Sequence, residues 1–136
     1  MRIGHGGKMM DAPRVLVVDD SRLSRRRFLA QPLRTVGYDV LEACDGKQGL
    51  AVFDEGKPDL IISDLLMPVM DGFEFITALR QRSITQPIIV ASADIQASTR
   101  RRLDELEIDG FLNKPYTADE LLHLVGQALS FSPVGG

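Results

Sequence analysis

At 136 residues, with 44% hydrophobic and 26% charged side chains, the chain has room for one ordinary domain with a real core and is too apolar to be disordered. Its net charge of −3 gives no general attraction to nucleic acid or to an anionic membrane, and no apolar run approaches the roughly 18 residues of a membrane span. The single cysteine, Cys44, excludes an internal disulfide and any cysteine-based zinc site, and its place in an apolar stretch predicts a buried, unreactive thiol.

Residues 1–13 are glycine-rich, polar and without period, which predicts a flexible tail; Met9 or Met10 would serve equally well as a start. The tail is basic but lacks the apolar segment of a secretory signal, so a cytoplasmic single domain is expected. Arg14 to Val18 is a short apolar run suited to a strand covered on both faces, and it ends on Asp19-Asp20. A helical segment follows from about Arg22 to Val36, stopped by Gly37 and kinked or split near its end by Pro32. Its arginines at 22, 25, 26 and 27 read as a solvated face, with partner docking as the functional alternative.

Tyr38 to Ala43 alternates like a more exposed second strand, and Asp45-Gly46 turns the chain into a helix reaching about Glu55. Leu60 to Ser63 reads as a third strand, buried on both faces, and delivers Asp64 at its end. Pro68 and Asp71-Gly72 then force a loop. A helix from Phe73 to Gln81 places Phe73, Ile76 and Leu79 near helical spacing. Pro87 to Ala91 forms the fourth strand, ending in Ser92. A helix over about Ile95 to Leu106 follows, with Arg100, Arg101 and Arg102 expected to be solvated and ion-paired. Gly110 to Asn113 is a short fifth strand stopped by Lys114-Pro115. The last helix opens on a capping box, Thr117 with Glu120, and carries Leu121, Leu124, Val125, Ala128 and Leu129 on its inner face. His123 reads as an ordinary boundary residue.

Five strands alternating with helices predict an α/β fold with parallel strands and right-handed crossovers. Four of the strands end in polar side chains: Asp19 and Asp20, Asp64, Ser92, Lys114. Parallel neighbours lie about 5 Å apart, so these ends converge if the four strands are adjacent. Three carboxylates together call for a cation, and oxygen donors with few protein ligands suit Mg²⁺ better than Ca²⁺. A lysine and a hydroxyl beside them form the other half of a clamp for a phosphoryl group, with Asp64 placed as the nucleophile.

With these residues in order, the sequence resembles the receiver (CheY-like) domain of bacterial two-component response regulators from about Arg14 to Leu129. The resemblance rests on Asp19-Asp20, on Asp64 followed by Met67-Pro68 and Asp71-Gly72, on Ser92-Ala93, and on Lys114-Pro115. It implies a flavodoxin-like doubly wound (βα)5 domain over residues 14–130 with strand order 2-1-3-4-5, between tails at 1–13 and 131–136. It further implies that Asp64 accepts a phosphoryl group from a sensor histidine kinase or histidine phosphotransfer protein. Mg²⁺ would be held by Asp20, Asp64 and the backbone carbonyl of Leu66, with Asp19 acting through water. Lys114 would pair first with the carboxylate and then with the phosphoryl oxygens, and Ser92 would bond a phosphoryl oxygen. Phe111 matches the aromatic whose rotamer follows that movement, so the domain would switch its surface for a downstream target protein or output domain. Ser92 lacks the methyl of a threonine, and Phe111 the hydroxyl of a tyrosine. Leu66 and Asp94, beside the site, are expected to tune phosphate lifetime, and the resemblance allows a homodimer through the fourth-helix to fifth-helix face. No output domain follows the fifth helix, which fits either a stand-alone regulator or a receiver cut from a longer protein.

Two other classes compete. A constitutive receiver-like binding module would keep the fold without phosphorylation, but such modules usually lose one of the five key side chains. A phosphohydrolase would need a cap insertion and an Asp-x-Asp at the nucleophile, and a dinucleotide enzyme a G-x-G-x-x-G after the first strand. None of these is in the sequence.

Overall fold

The computed structural model describes residues 12–94 and 96–130. Five strands, β1 (Arg14–Val18), β2 (Asp39–Ala43), β3 (Leu60–Ser63), β4 (Ile88–Ser92) and β5 (Gly110–Asn113), form one parallel sheet in the order β2-β1-β3-β4-β5. The three central strands are apolar almost throughout because helices cover both faces. Alternation along each strand divides the core in two. Val15, Val17, Ile62 and Ile89 meet Leu29, Leu33, Leu121 and Val125 on one face. Leu16, Val18, Ile61 and Val90 meet Phe53, Phe75, Leu79 and Leu103 on the other.

The first helix, α1, departs from a regular helix. Ser24–Ala30 winds as a wide π-type turn and passes into α-helical Gln31–Thr35. The change of winding falls just before Pro32, whose missing N–H leaves no bond to conserve there. Proline therefore marks a change of pitch at mid-helix and does not split off a last turn. The other helices are α2 (Gly46–Gly56), α3 (Gly72–Gln81), α4 (Ala97–Glu105) and α5 (Ala118–Ser130). The fourth helix thus begins later than the sequence suggested, and Ile95 lies outside the described residues, as do 1–11 and 131–136 of the expected tails.

Two further expectations are corrected. Cys44 is exposed, because edge strand β2 ends at Ala43 and the thiol turns outward beside Asp45. Phe73, Ile76 and Leu79 face the core as their spacing suggests, and Phe75 is the fully buried aromatic of α3. Asp71 and Glu74 form a capping box that starts the helix at Gly72 and sets which face turns inward. The arginines of α4 are exposed as expected, but among the described residues they form no ion pairs: Arg100 lies 4.4 Å from the Phe111 centroid and Arg102 3.7 Å from that of Phe73.

The capping box of α5 forms as expected: the Glu120 N–H donates to Thr117 Oγ1 at 3.0 Å and the Thr117 N–H to Glu120 Oε1 at 2.8 Å. Thr117→Ala is expected to cost about 1 kcal/mol, measured as a lower urea midpoint with an unchanged slope. Among the described residues no helix is long and apolar enough to cross a membrane.

Candidate functional site: an acidic pocket at the strand ends

Backbone bonds carry the sheet one residue past its strands and thereby place the site. The Asp19 N–H donates to the Ala43 carbonyl at 3.1 Å, that of Asp64 to Val18 at 2.9 Å, and that of Lys114 to Ser92 at 2.9 Å. Asp19, Asp64 and Lys114 therefore stand at the carboxyl ends of β1, β3 and β5, the edge at which open α/β sheets bind ligands.

There the carboxylates of Asp19, Asp20 and Asp64 offer one oxygen each within 4.8 Å of one another. Their environments are graded: Asp19 is buried at 1% exposure, Asp64 is half-buried, and Asp20 is exposed. Lys114 Nζ lies 3.3 Å from Asp64 Oδ2 and 3.6 Å from Asp19 Oδ2, so one cation answers two of the three anions. Asp64 Oδ1 also accepts from the Leu65 N–H at 2.7 Å. Burial pushes the Asp64 carboxyl above its usual range; Lys114 pulls the other way, and the Asp19 charge adds to the rise. The pocket is thus short of positive charge. Three oxygen donors with an open, exposed side fit a hard divalent cation that keeps several waters.

The other expected residues lie around this cluster. Ser92 is buried, and its Oγ accepts from the Asp94 N–H at 3.0 Å, which leaves the hydroxyl proton free to donate. Asp94 in turn accepts from Thr99 Oγ1 at 2.6 Å and from the Gln96 N–H at 3.0 Å, tying the β4–α4 loop to the first turn of α4. These bonds hold the Asp94 carboxyl below its usual range, with Thr99 the larger cause. Leu66 points outward at 79% exposure, so only its backbone can serve the pocket. Phe111 is half-buried on β5 beneath Arg100, away from the carboxylates in the strand register.

Two features went unseen in the sequence. Arg25 is not on a solvated face: its side chain is 12% exposed and reaches the Asp19 carbonyl and Glu42. Tyr116, two residues past Lys114, buries its hydroxyl without a hydrogen-bond partner among the described residues. Burial, with Asp19 and Asp64 adding, pushes that hydroxyl well above its usual range. Tyr116 lines a cleft of about 410 Å³ with Ser21, Phe28 and Lys114 beside the pocket. An aromatic after Lys-Pro was the only local hint of this wall.

Residues 15–126 match the family model of the response regulator receiver domain. The chain belongs to that family. It is 38% identical over 112 residues to the probable transcriptional regulator ycf27 of Porphyridium aerugineum, covering 82% of this chain and 46% of that protein. It is also 38% identical over 105 residues to the sensor histidine kinase RcsC of Escherichia coli, covering 77% of this chain and 11% of that one. The chain therefore spans about half the length of the first relative and about a tenth of the second. Among solved structures, the chemotaxis response regulator CheY4 of Vibrio cholerae superposes with a TM-score of 0.80 at 35% identity, covering 87% of this chain and 99% of that one. The flavodoxin-like strand order and the receiver architecture expected from the sequence are those of the structure.

Proposed function

We propose that this receiver domain takes a phosphoryl group onto Asp64 from a phosphohistidine on a histidine kinase or phosphotransfer protein, and so switches its affinity for a downstream partner. The observation that carries the reading is the pocket itself: three carboxylate oxygens within 4.8 Å, with Lys114 Nζ 3.3 Å from the one placed to react. In the transfer, the donor's N–P bond breaks as an Asp64 Oδ–P bond forms, and the imidazole nitrogen keeps the electron pair and takes a proton from solvent. Asp20, Asp64 and the Leu66 carbonyl are the proposed ligands of Mg²⁺, with Asp19 acting through bound water. The ion would supply the positive charge that lets a carboxylate approach an anionic phosphoryl group.

Lys114 is proposed to leave its place beside Asp64 Oδ2 for a phosphoryl oxygen. Ser92, its proton free, is proposed to donate to another and to draw the β4–α4 loop inward through Asp94. Phe111 and the arginine above it lie where such a movement would be felt at α4 and β5. A phosphoryl group brings nearly two negative charges at neutral pH, enough to bias a two-state surface. The domain then acts as a cytoplasmic switch and not as an enzyme with its own substrate. The named regulator and kinase relatives support both a kinase and an output partner.

Acetyl phosphate with Mg²⁺ is expected to add one phosphoryl group, about 80 Da by intact mass in acid, and chelation of the metal to prevent it. No mass gain, together with an amide spectrum unmoved by beryllium fluoride, would replace this reading with that of a constitutive binding module.

A further inference from the structure

We propose that Arg25 is a positioning residue for the acidic pocket, one that fixes the peptide plane joining Asp19 to Asp20. Its bearing on metal binding rests on the phosphoacceptor reading above; the brace itself does not. Beyond β1 the chain leaves the ladder, and the Asp19 carbonyl takes its hydrogen bond from Arg25 Nη1 at 2.7 Å. Because a peptide unit is planar, holding that oxygen also fixes the N–H and Cα of Asp20. Asp20 is the exposed member of the carboxylate trio, and none of its side-chain oxygens accepts a hydrogen bond among the described residues. What the fold fixes of Asp20 is therefore the direction of its Cα–Cβ bond, through its backbone.

The adjacent Ser24 completes the hold. Its Oγ donates to Asp19 Oδ2 at 2.8 Å, while the Ser21 N–H donates to Oδ1 at 2.9 Å. The start of α1 thus grips Asp19 by carbonyl and carboxylate together. Arg25 is gripped in turn: its Nε donates to Glu42 Oε1 at 2.9 Å, and Arg34 holds the other oxygen of Glu42 at 3.2 Å. Burial works against an ionised Glu42, but Arg25 and Arg34 outweigh it and hold the carboxyl below its usual range. Glu42 sits on edge strand β2, so the brace spans the helix, the edge strand and the end of β1. Two acceptors on different elements suit a planar guanidinium; an ammonium offers a single charge point.

The test compares the whole chain with Arg25→Gln and Arg25→Lys, and with Arg34→Gln as the control that loosens Glu42 without touching Asp19. Two quantities are read: Mg²⁺ affinity from amide shifts, and hydrogen exchange at the Ser21 amide. In both Arg25 variants Mg²⁺ affinity is expected to fall about tenfold, the scale for a residue that orients a metal ligand, with Arg34→Gln within about twofold of wild type. Ser21 exchange is expected to quicken at least about tenfold while Ile61 and Val90 keep their protection. Unchanged Ser21 exchange, or an equal rise at Ile61 and Val90, would overturn the brace. Should Arg25→Gln not fold, Arg25→Lys, which keeps the charge facing Glu42, decides alone. A wild-type chain that ignores Mg²⁺ would remove the phosphoacceptor reading and leave the exchange comparison to judge the brace.

Discussion

Asp64→Asn is expected to abolish phosphoryl uptake altogether and at the same time to make the domain more stable. The loss follows from chemistry: an amide offers neither the nucleophilic oxygen nor the charge that Lys114 Nζ meets at 3.3 Å. The gain follows from burial. In the folded chain the Asp64 carboxyl is held above its ordinary value, first by desolvation and further by the nearby Asp19, with Lys114 only partly offsetting them. Between its unfolded and folded ionisation the native state keeps a proton that the unfolded chain releases. Stability is therefore greatest below the ordinary carboxylate range and declines as pH rises through that window. Above that window the wild type carries this burden in full. Asn removes it, for a gain on the order of 1 kcal/mol, the usual trade between a functional site and stability. Intact mass after acetyl phosphate checks the loss, and urea midpoints from about pH 4 to 7 check the gain, since the acid-side rise in wild-type stability relative to the mutant should vanish as the pH climbs. A mutant less stable than wild type at neutral pH would contradict the account of the pocket as short of positive charge.

Gly72→Ala is expected to damage fold and site together. A Cβ at this position would collide with the Asp64 carbonyl oxygen and stand 2.7 Å from the Leu65 Cα, both backbone atoms that no rotamer change can move. The close approach is held by the Gly72 N–H, which donates to the Leu65 carbonyl at 2.9 Å. Room for a methyl can come only by displacing the backbone that carries Asp64. A cost of about 3 kcal/mol is expected from overpacking of this kind, read from chemical unfolding, with phosphoryl uptake slowed at least about tenfold by the shifted carboxylate. Gly126, where a Cβ would meet nothing within 4 Å, provides the comparison: alanine there sits in a helix and is expected to be neutral or stabilising.

Much of the site was legible in the sequence because its signals are local. Asp19-Asp20, Asp64, Ser92 and Lys114 each stand within two residues of the end of an apolar run, and a parallel sheet brings such ends together once strands 1, 3, 4 and 5 are neighbours. The Thr117–Glu120 box is likewise complete within four residues. The misses depend on partners far along the chain. Arg25 reads as one more cation on a basic helix until Glu42 folds beside it. Arg100 and Arg102 read as ion-paired until the fold lays Phe111 and Phe73 beneath them. Cys44 was misplaced by one residue at the end of an edge strand, where period-two alternation no longer says which way a side chain turns. On α3, Phe75 joins Phe73, Ile76 and Leu79 on the inner face, and the capping box of Asp71 and Glu74, three apart in the sequence, fixes where the helix starts.

The two-sided core has a consequence for how such a chain can diverge. Leu29, Leu33, Leu121 and Val125 pack under α1 and α5, while Phe53, Phe75, Leu79 and Leu103 pack under α2, α3 and α4, and the sheet stands between them. Substitutions on opposite sides share no side-chain neighbours and should combine without epistasis. The helices over one face can thus drift in sequence, and acquire new partners, without forcing compensation beneath the other. Only residues at the rim of the sheet, where the strand ends meet both layers, answer to both histories at once.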